Sequence, residues 1–366
     1  MNKHKILFIL QDLGGGGAER VFINIANGFI KKGMLVEILV GRVNVQYPAL
    51  LDKGVPVTVT GCKNLLDNLR KLPDYIKGKD FTHIFTASDT YSIASVILKN
   101  VLNLKYKTIA TLHYDLPNQI SILPCLNRIY LTLTNKYFIA NADKIVAVSN
   151  GVGLGFEAVV KKKLDNLITI YNPVFDEDIF NLSFESVEEQ LFFNNKKTLI
   201  SVGKLTNNPK NQELLIKAFH ILCKTENNVQ LIFLGEGEDK NRYIELTQML
   251  GIAEKVHFLG FKTNPYKYIV NSDLLVLSSN TEGFGNVLVE ALALGVNVVS
   301  TDCPSGPKEV LENGKYGFLS PVNDPLKLAE TIQKALKSPI DSNKLKAYAE
   351  KFSTNNIIGQ YYRLLK

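Results

Sequence analysis

Short apolar runs recur along this chain, separated by stretches with helical spacing. In the first half the runs are Lys5–Leu10, Leu35–Val40, Val55–Thr58, His83–Thr86, Lys107–Leu112, Lys144–Val148 and Leu167–Ile170. Between the first two, Glu19–Lys31 is apolar at Val21, Ile25 and Phe29 and polar on the opposite side, the spacing of an amphipathic helix. Strand–helix–strand repetition of this kind predicts a parallel sheet with helices on both faces.

The rhythm breaks over Asn172–Asn195, which holds Pro173, a run of acids within Asp176–Glu189 and no clean periodicity; it reads as a linker with a short helix. A second alternating series follows, with strands expected at Thr198–Val202, Gln230–Leu234, Val256–Phe258, Leu274–Leu277, Asn297–Ser300 and, more weakly, Gly317–Leu319. Helical patterns at Gln212–Cys223 and Asn241–Leu250 separate them, and Asn343–Leu365 reads as one last helix. The expected organisation is thus a doubly wound domain over 1–172, a linker over 173–195, a second doubly wound domain over 196–342 and a C-terminal helix over 343–366. Ligands of such sheets sit beyond the carboxyl ends of the strands, so two facing domains would place a cleft there.

The 366 residues exceed one ordinary core, in keeping with two domains. No apolar run has the length of a membrane span. The first run, Ile6–Leu10, is too short for a signal peptide and stops at Gln11-Asp12, so a cytoplasmic protein is expected. Cys62, Cys125, Cys223 and Cys303 are far apart and read as reduced thiols. The net charge of +7 is compatible with an anionic ligand or an anionic membrane surface. The Lys161-Lys162-Lys163 cluster reads as a solvated helix end or as a contact for acidic headgroups. No aromatic-rich basic stripe points to nucleic acid.

Candidate chemistry concentrates in Thr281-Glu282-Gly283-Phe284-Gly285-Asn286-Val287-Leu288-Val289-Glu290. A glycine-rich turn leads from Glu282 into a helix start, and Glu290 lies one turn inside that helix. Free N–H groups at a helix N-terminus attract phosphate, and two fixed carboxylates can each accept from paired hydroxyls, one set on a sugar and one on a ribose. This layout suits a sugar nucleotide. The run Gly14–Gly17 before Ala18-Glu19-Arg20 is an anion cradle or a flexible turn; the dinucleotide fingerprint fails because its third slot falls on Glu19 or Arg20. His113 stands at the carboxyl end of the Lys107–Leu112 strand, although a lone histidine is ordinarily structural. Gly203, Lys204 and Lys210 lie on the loop after Thr198–Val202, where two lysines either neutralise a diphosphate leaving group or are merely exposed. Gly235-Glu236-Gly237 carries little signal, and Asp176-Glu177-Asp178 reads as a solvated turn rather than a metal site.

With these segments in place, the chain resembles the retaining, nucleotide-sugar-dependent glycosyltransferases of GT-B fold, the glycosyltransferase group 1 or GT4 family. Glu282 to Glu290 matches the family's E-x7-E motif, Val202-Gly203-Lys204 with Lys210 its V-G-[RK]…K loop, Leu13–Arg20 its N-terminal glycine segment, and Asp143–Val152 a first-domain segment ending in Val-Ser-Asn-Gly-Val. Glu282–Pro321 is especially similar to bacterial members that extend lipid-linked oligosaccharides with N-acetylhexosamine. The resemblance implies that Glu290 holds the ribose and Glu282 the donor sugar. It implies that Gly283, Phe284, Gly285, Asn286 and Val287 line sugar and diphosphate, that Lys204 and Lys210 face the diphosphate, and that the backbone near Phe261 meets the base. Gly16 and Gly17 would approach donor phosphate or acceptor, His113 the reacting sugar, and the last helix would cross back onto the first domain. Glu282, His113 and Lys204 are thereby the implied catalytic residues. Lys204 stands where many members carry Arg, the loop to Lys210 is one residue longer than usual, and Asn211 replaces a common Gly.

The implied activity is transfer of a hexosyl or N-acetylhexosaminyl unit from a UDP-sugar to a glycan, with a lipid-linked oligosaccharide as the expected acceptor. Anomeric configuration would be retained and no metal or other cofactor used. The expected setting is the cytoplasm, with peripheral contact at the inner face of an anionic membrane, and nucleic acid is not expected as a partner. Two rivals are a GT-B-like sugar-nucleotide epimerase and a non-catalytic two-domain sugar-binding protein.

Overall fold

The computed structural model describes residues 4–14, 16–42, 51–52, 54–62 and 64–366; Gly15 of the glycine run lies outside them. The chain divides into two compact units, one running to Val174 and taking in Phe352–Lys366, the other comprising Phe175–Lys351.

The first unit is built on β1 (Lys5–Leu10), β2 (Leu35–Val40), β3 (Val57–Val59), β4 (His83–Thr86), β5 (Lys107–Leu112), β6 (Lys144–Ala147) and β7 (Leu167–Thr169). All pair in parallel in the order β3-β2-β1-β4-β5-β6-β7, so the winding reverses between β1 and β4. Its helices are α1 (Gly17–Lys31), α2 (Leu65–Ile76), α3 (Asp89–Val101), α4 (Leu116–Ser121), α5 (Cys125–Tyr137) and α6 (Asn150–Val160). Successive residues of β1 serve opposite cores. Ile6, Phe8 and Leu10 join Phe22, Phe29 and Phe85 on one face, and Leu7 and Ile9 join Ile84 and Tyr91 on the other. Burial on both faces is why these strands read as unbroken apolar runs. The expected third strand, Val55–Thr58, forms two residues later at Val57–Val59, an edge strand whose two valines are exposed.

The second unit holds β8 (Lys197–Val202), β9 (Val229–Leu234), β10 (Val256–Phe258), β11 (Leu274–Leu277), β12 (Asn297–Thr301) and β13 (Phe318–Ser320), parallel in the order β10-β9-β8-β11-β12-β13. Around them run α7 (Asp178–Ser183), α8 (Gln212–Leu222), α9 (Lys240–Met249), α10 (Tyr266–Val270), α11 (Asn286–Ala293), α12 (Pro307–Val310), α13 (Pro325–Lys337) and α14 (Ser342–Ala349). Here the winding reverses between β8 and β11, so the loops after those two strands flank the topological switch point where such sheets bind ligands. The acidic segment read as a linker is packed onto this unit. Asn264 Nδ2 donates to Leu182 O at 2.8 Å, and Glu189 accepts from Lys262 Nζ at 2.7 Å and Tyr268 Oη at 3.0 Å.

The last stretch is two helices rather than one. After α14 a 3-10 turn at Glu350–Phe352 leads to α15 (Thr354–Arg363), which belongs to the first unit. Ser353 restarts the helix by accepting from Asn356 N at 3.4 Å, while Phe352 is fully buried and its carbonyl accepts from Val174 N at 3.1 Å. α15 then seals the first core with Ile357, Ile358 and Tyr361.

Candidate active site

The centre of the second unit's site is a clamp on Glu282. Lys210 Nζ and Ser279 Oγ both donate to Glu282 Oε1, each at 2.6 Å. The other oxygen, Oε2, has no hydrogen-bond partner among the described residues. β11 is followed by the buried pair Ser278 and Ser279, which lock the surrounding loops. Ser278 Oγ donates to Lys210 O at 3.1 Å, Asn280 N to Pro209 O at 2.8 Å, and Thr301 Oγ1 to Ser279 O at 2.5 Å. The loops after β8, β11 and β12 are thereby fastened together around one carboxylate.

Asn211 explains its own departure from the family pattern. It sits at φ 47° in the left-handed region, where Gly is the default and Asn the usual substitute. From there it caps α8 by accepting from Leu214 N at 3.2 Å and donates from Nδ2 to Asn280 Oδ1 at 2.8 Å. The Lys204 loop is held by the buried Gln212, whose Nε2 donates to Lys204 O at 2.7 Å and whose Oε1 accepts from Tyr243 Oη at 3.3 Å. Lys204 itself is exposed, with no carboxylate in ion-pair range among the described residues. Gly235-Glu236-Gly237 has a steric role, since a Cβ at Gly235 would lie 1.9 Å from Gly203 O. Only glycine lets the turns after β8 and β9 touch backbone to backbone.

From Glu282 the chain turns through half-buried Gly283 and buried Phe284 to Gly285, which precedes α11 at φ 93° and supplies no side-chain cap. Asn286 and Val287 form the first turn, both half-buried. The turn is backed by the loop after β12: a Cβ on Gly306 would lie 2.2 Å from Phe284 O, so that close approach excludes any side chain. Glu282 N donates to Pro304 O at 3.5 Å. Cys303, buried beside this carboxylate, has its thiol pushed up to about 12 by burial and by the charge of Glu282. Glu290 is only 8% exposed on the second turn of α11, and Tyr266 Oη donates to its Oε1 at 3.4 Å. Phe261 is exposed, just after Gly260, whose carbonyl accepts from Gly235 N at 2.9 Å.

The first unit holds the remaining residues of interest. The space beside Gly16, ahead of α1, is taken by Glu19: its Oε2 lies 2.1 Å from where a Gly16 Cβ would be. Burial raises the pKa of this carboxyl, with hydrogen bonding to its own N–H opposing and the nearby Asp12 adding to the rise. Gly17 opens α1 and is exposed. The α1 N-terminus thus already carries an acidic side chain, which the glycine run alone did not signal. His113 follows β5 directly. Its ring lies 5.6 Å from that of Phe22, and burial pushes its imidazole from 6.5 down to about 4, so it is neutral at neutral pH. Thr111 Oγ1 donates to Thr86 O at 2.8 Å, so it accepts from His113 Nε2–H at 2.9 Å. That fixes the tautomer and leaves Nδ1 as a lone-pair acceptor.

Sequence reasoning missed Ser279, Gln212, Tyr266 and Gly306. Only the polar pair following an apolar strand, Ser278-Ser279, gave a local signal. Among the described residues no group of three or more His, Cys, Asp or Glu side chains is placed to hold a metal ion.

Two family models meet along the chain: Glycosyltransferase Family 4 over residues 15–177 and Glycosyl transferases group 1 over residues 183–352. An uncharacterised glycosyltransferase of Methanocaldococcus jannaschii is 35% identical over 206 residues, 52% of this chain and 50% of that protein. The N-acetylgalactosamine-N,N'-diacetylbacillosaminyl-diphospho-undecaprenol 4-alpha-N-acetylgalactosaminyltransferase of Campylobacter jejuni is 33% identical over 234 residues, 61% of this chain and 59% of that protein. The matches thus span half to three fifths of these relatives' lengths. In fold, Anabaena HepE in complex with UDP-glucose superposes with a TM-score of 0.82 at 23% identity, covering 99% of both chains. Two doubly wound units, the clamped Glu282 at a switch point and consecutive family matches from residue 15 to 352 agree, and the chain belongs to the GT-B glycosyltransferases of the group 1/GT4 family.

Proposed function

We propose that this chain transfers a hexosyl or N-acetylhexosaminyl unit from a UDP-sugar to a glycan acceptor with retention of anomeric configuration. The observation that carries the reading is the Glu282 clamp. With Oε1 held by Lys210 and Ser279, Oε2 is fixed and left to accept from a hydroxyl of the donor sugar. The N-terminus of α11, whose N-cap Gly285 carries no side chain, and the exposed Lys204 supply positive charge for a diphosphate. Glu290 takes the ribose hydroxyls, since its 3.4 Å bond from Tyr266 is long enough to exchange for them. The family resemblance alone assigns His113, neutral in its buried setting, to the reacting sugar.

In the reaction the bond from the anomeric carbon to the β-phosphate oxygen breaks, and a bond from the acceptor oxygen forms on the same face. The acceptor proton passes to the departing phosphate. The protein positions both substrates and stabilises the charge on the leaving group, and no divalent ion is needed. The name of the Campylobacter jejuni relative, a transferase acting on a diphospho-undecaprenol glycan, supports a lipid-linked acceptor.

The test is a panel of UDP-sugars, screened for thermal stabilisation and then incubated with and without acceptor. One donor should stabilise the protein and be transferred with its anomeric configuration kept, in the presence of a chelator. Conversion of the sugar nucleotide without acceptor would mark an epimerase, stabilisation without turnover a binding protein, and an inverted product another mechanism.

A further inference from the structure

Charged groups also gather at the other end of the first sheet, where its strands begin. Alternation along β5 and β6 sends Ile109 and Val146 into the core that α15 seals. Two residues earlier on the same strands, Lys107 and Lys144 fall on that same face, at the edge of the core. A cavity of about 670 Å³ opens there, lined by both lysines, by β7 and by the last turns of α15. Ile168, Ile170 and Leu364 give it an apolar lining, and Arg363 adds a third cation. Arg363 Nε donates to Gly359 O at 3.3 Å, and its two terminal nitrogens have no partner among the described residues. Lys366 also borders the cavity, but its ammonium is turned to the Tyr362 ring, 5.9 Å from the centroid. The acid that lines the cavity, Asp143, does not answer these charges. Lys99 Nζ donates to both of its oxygens at 2.5 Å, and Thr108 N and Thr108 Oγ1 each donate to Oδ2 at 2.7 Å. No carboxylate among the described residues lies in ion-pair range of Lys107, Lys144 or Arg363. The positive field reaches the neighbouring strand: burial, with the charges of His4 and Lys107 adding, holds the imidazole of His83, the register partner of Lys107, down at about 4. A cleft lined by one sign of charge against apolar walls focuses the field and concentrates counter-ions.

We propose that this cavity is an anion site that takes the diphosphate group of a small molecule. Charge selects the class. Three unanswered cations match a diphosphate better than a single carboxylate. The free end of the Arg363 guanidinium suits one phosphate through paired N–H donors, while Lys107 and Lys144 act as point charges for the other. Gln360 and Thr169 add neutral hydrogen-bonding groups to the lining. The apolar side chains receive whatever aliphatic or flat body carries the phosphates, and the volume falls in the range of small-molecule sites. The donor site is a different place. Glu282, Lys204 and Lys210 belong to the second unit, whereas every residue of this cavity belongs to the first. Lys107 begins the strand whose far end leads to His113, about 20 Å away at about 3.3 Å per residue. The consequence is mechanical rather than chemical. Arg363 and Gln360 stand on α15, the helix that rejoins this unit after Phe352, and the two lysines stand on β5 and β6. A bound diphosphate ties the end of that helix to the sheet and stabilises the first unit by mass action.

The experiment titrates the full chain with inorganic pyrophosphate, with butyl diphosphate and, at matched ionic strength, with sulfate. Calorimetry reads affinity, and hydrogen exchange of the backbone amides reads place. Pyrophosphate should slow exchange over residues 360–366 and in β7. Butyl diphosphate should do the same at about tenfold lower concentration, because its alkyl chain covers the apolar lining. Lys144→Gln/Arg363→Gln should bind both probes at this site about a hundredfold more weakly, roughly tenfold for each cation removed. Lys107→Gln, a single change at an exposed side chain, should weaken binding about tenfold. Both variants should melt like wild type without ligand. Protection confined to the Lys204 loop and α11 overturns the proposal. So does equal protection by sulfate, butyl diphosphate that binds no more tightly than pyrophosphate, or variants that bind both probes as wild type does. UDP titrated in parallel reports on the donor site: if it leaves the Lys204 loop and α11 unprotected while pyrophosphate protects α15, the anion site stands and the transferase reading fails.

Discussion

Replacing Lys210 by Met keeps most of the aliphatic stem and removes the charge, so it isolates what the ammonium does for Glu282. The Nζ–Oε1 separation is 2.6 Å, and the two side chains retain 27% and 11% exposure. At an effective dielectric constant of about 20, two unit charges at that distance attract by about 6 kcal/mol. Desolvation of both groups offsets most of this, and their remaining exposure screens more, leaving a net coupling of about 1–2 kcal/mol. A double-mutant cycle of wild type, Lys210→Met, Glu282→Gln and the double variant, followed by thermal denaturation, measures that coupling directly. In a domain of this size each kcal/mol moves the midpoint by roughly 2–4 °C. Lys210→Met should therefore melt about 2–8 °C lower. Glu282→Gln should lose less, because Ser279 Oγ can still donate to the amide oxygen. The double variant should be more stable than the two single losses predict when added. Both single variants should lose at least about a hundredfold in kcat/KM if the fixed carboxylate orients the donor. Single effects that sum to the double within about 0.5 kcal/mol would refute a cooperative clamp.

Three further outcomes follow from the same geometry. Gly306→Ala places a methyl group 2.2 Å from Phe284 O; it should cost about 1–3 kcal/mol in stability and raise the donor KM, and wild-type values for both would show that the turn before α11 is not tightly set. Lys204→Ala should lower kcat, and Lys204→Arg should restore most of it because charge rather than geometry is asked of that position; a dead arginine variant would contradict this. His113 is held near 4 against an ordinary 6.5, so the unfolded chain binds its proton more readily. Its contribution of about 3 kcal/mol is full above pH 6.5 and is lost as pH falls from 6.5 towards 4. The melting temperature of His113→Gln should decline less steeply across that window, whereas a curve parallel to wild type would show that the ring is solvated.

The strands were legible because burial on both faces of a parallel sheet makes each one an apolar run, as with Ile6–Leu10 and Val229–Leu234. Legibility failed where one face is open. At β3 the pattern set the strand two residues early, since an edge strand with exposed Val57 and Val59 has little burial to fix its bounds. It failed again at Phe352-Ser353, where helical periodicity runs on across the break. Tertiary packing decides that point: Phe352 is drawn into the first unit and Ser353 restarts the helix. The acids at Glu185 and Glu189 looked like solvated linker, yet they meet Asn264, Lys262 and Tyr268 from more than seventy residues away.

The candidate site divides along the same line. Glu282, Gly285 and Asn286 lie on one loop and one helix start, so spacing alone exposes them. What makes Glu282 useful is contributed by Lys210, seventy-two residues upstream, and by a backing glycine, Gly306, on a different loop. Periodicity cannot show such partners, because they meet only once β8, β11 and β12 lie side by side. α5 marks the opposite limit. A stripe of Leu, Ile and Tyr at helical spacing looks the same in sequence whether it faces a core or the outside, and only the burial of Thr134 and Asn135 instead shows which way the helix is turned. Inverted amphipathicity is therefore a structural signal that sequence pattern hides.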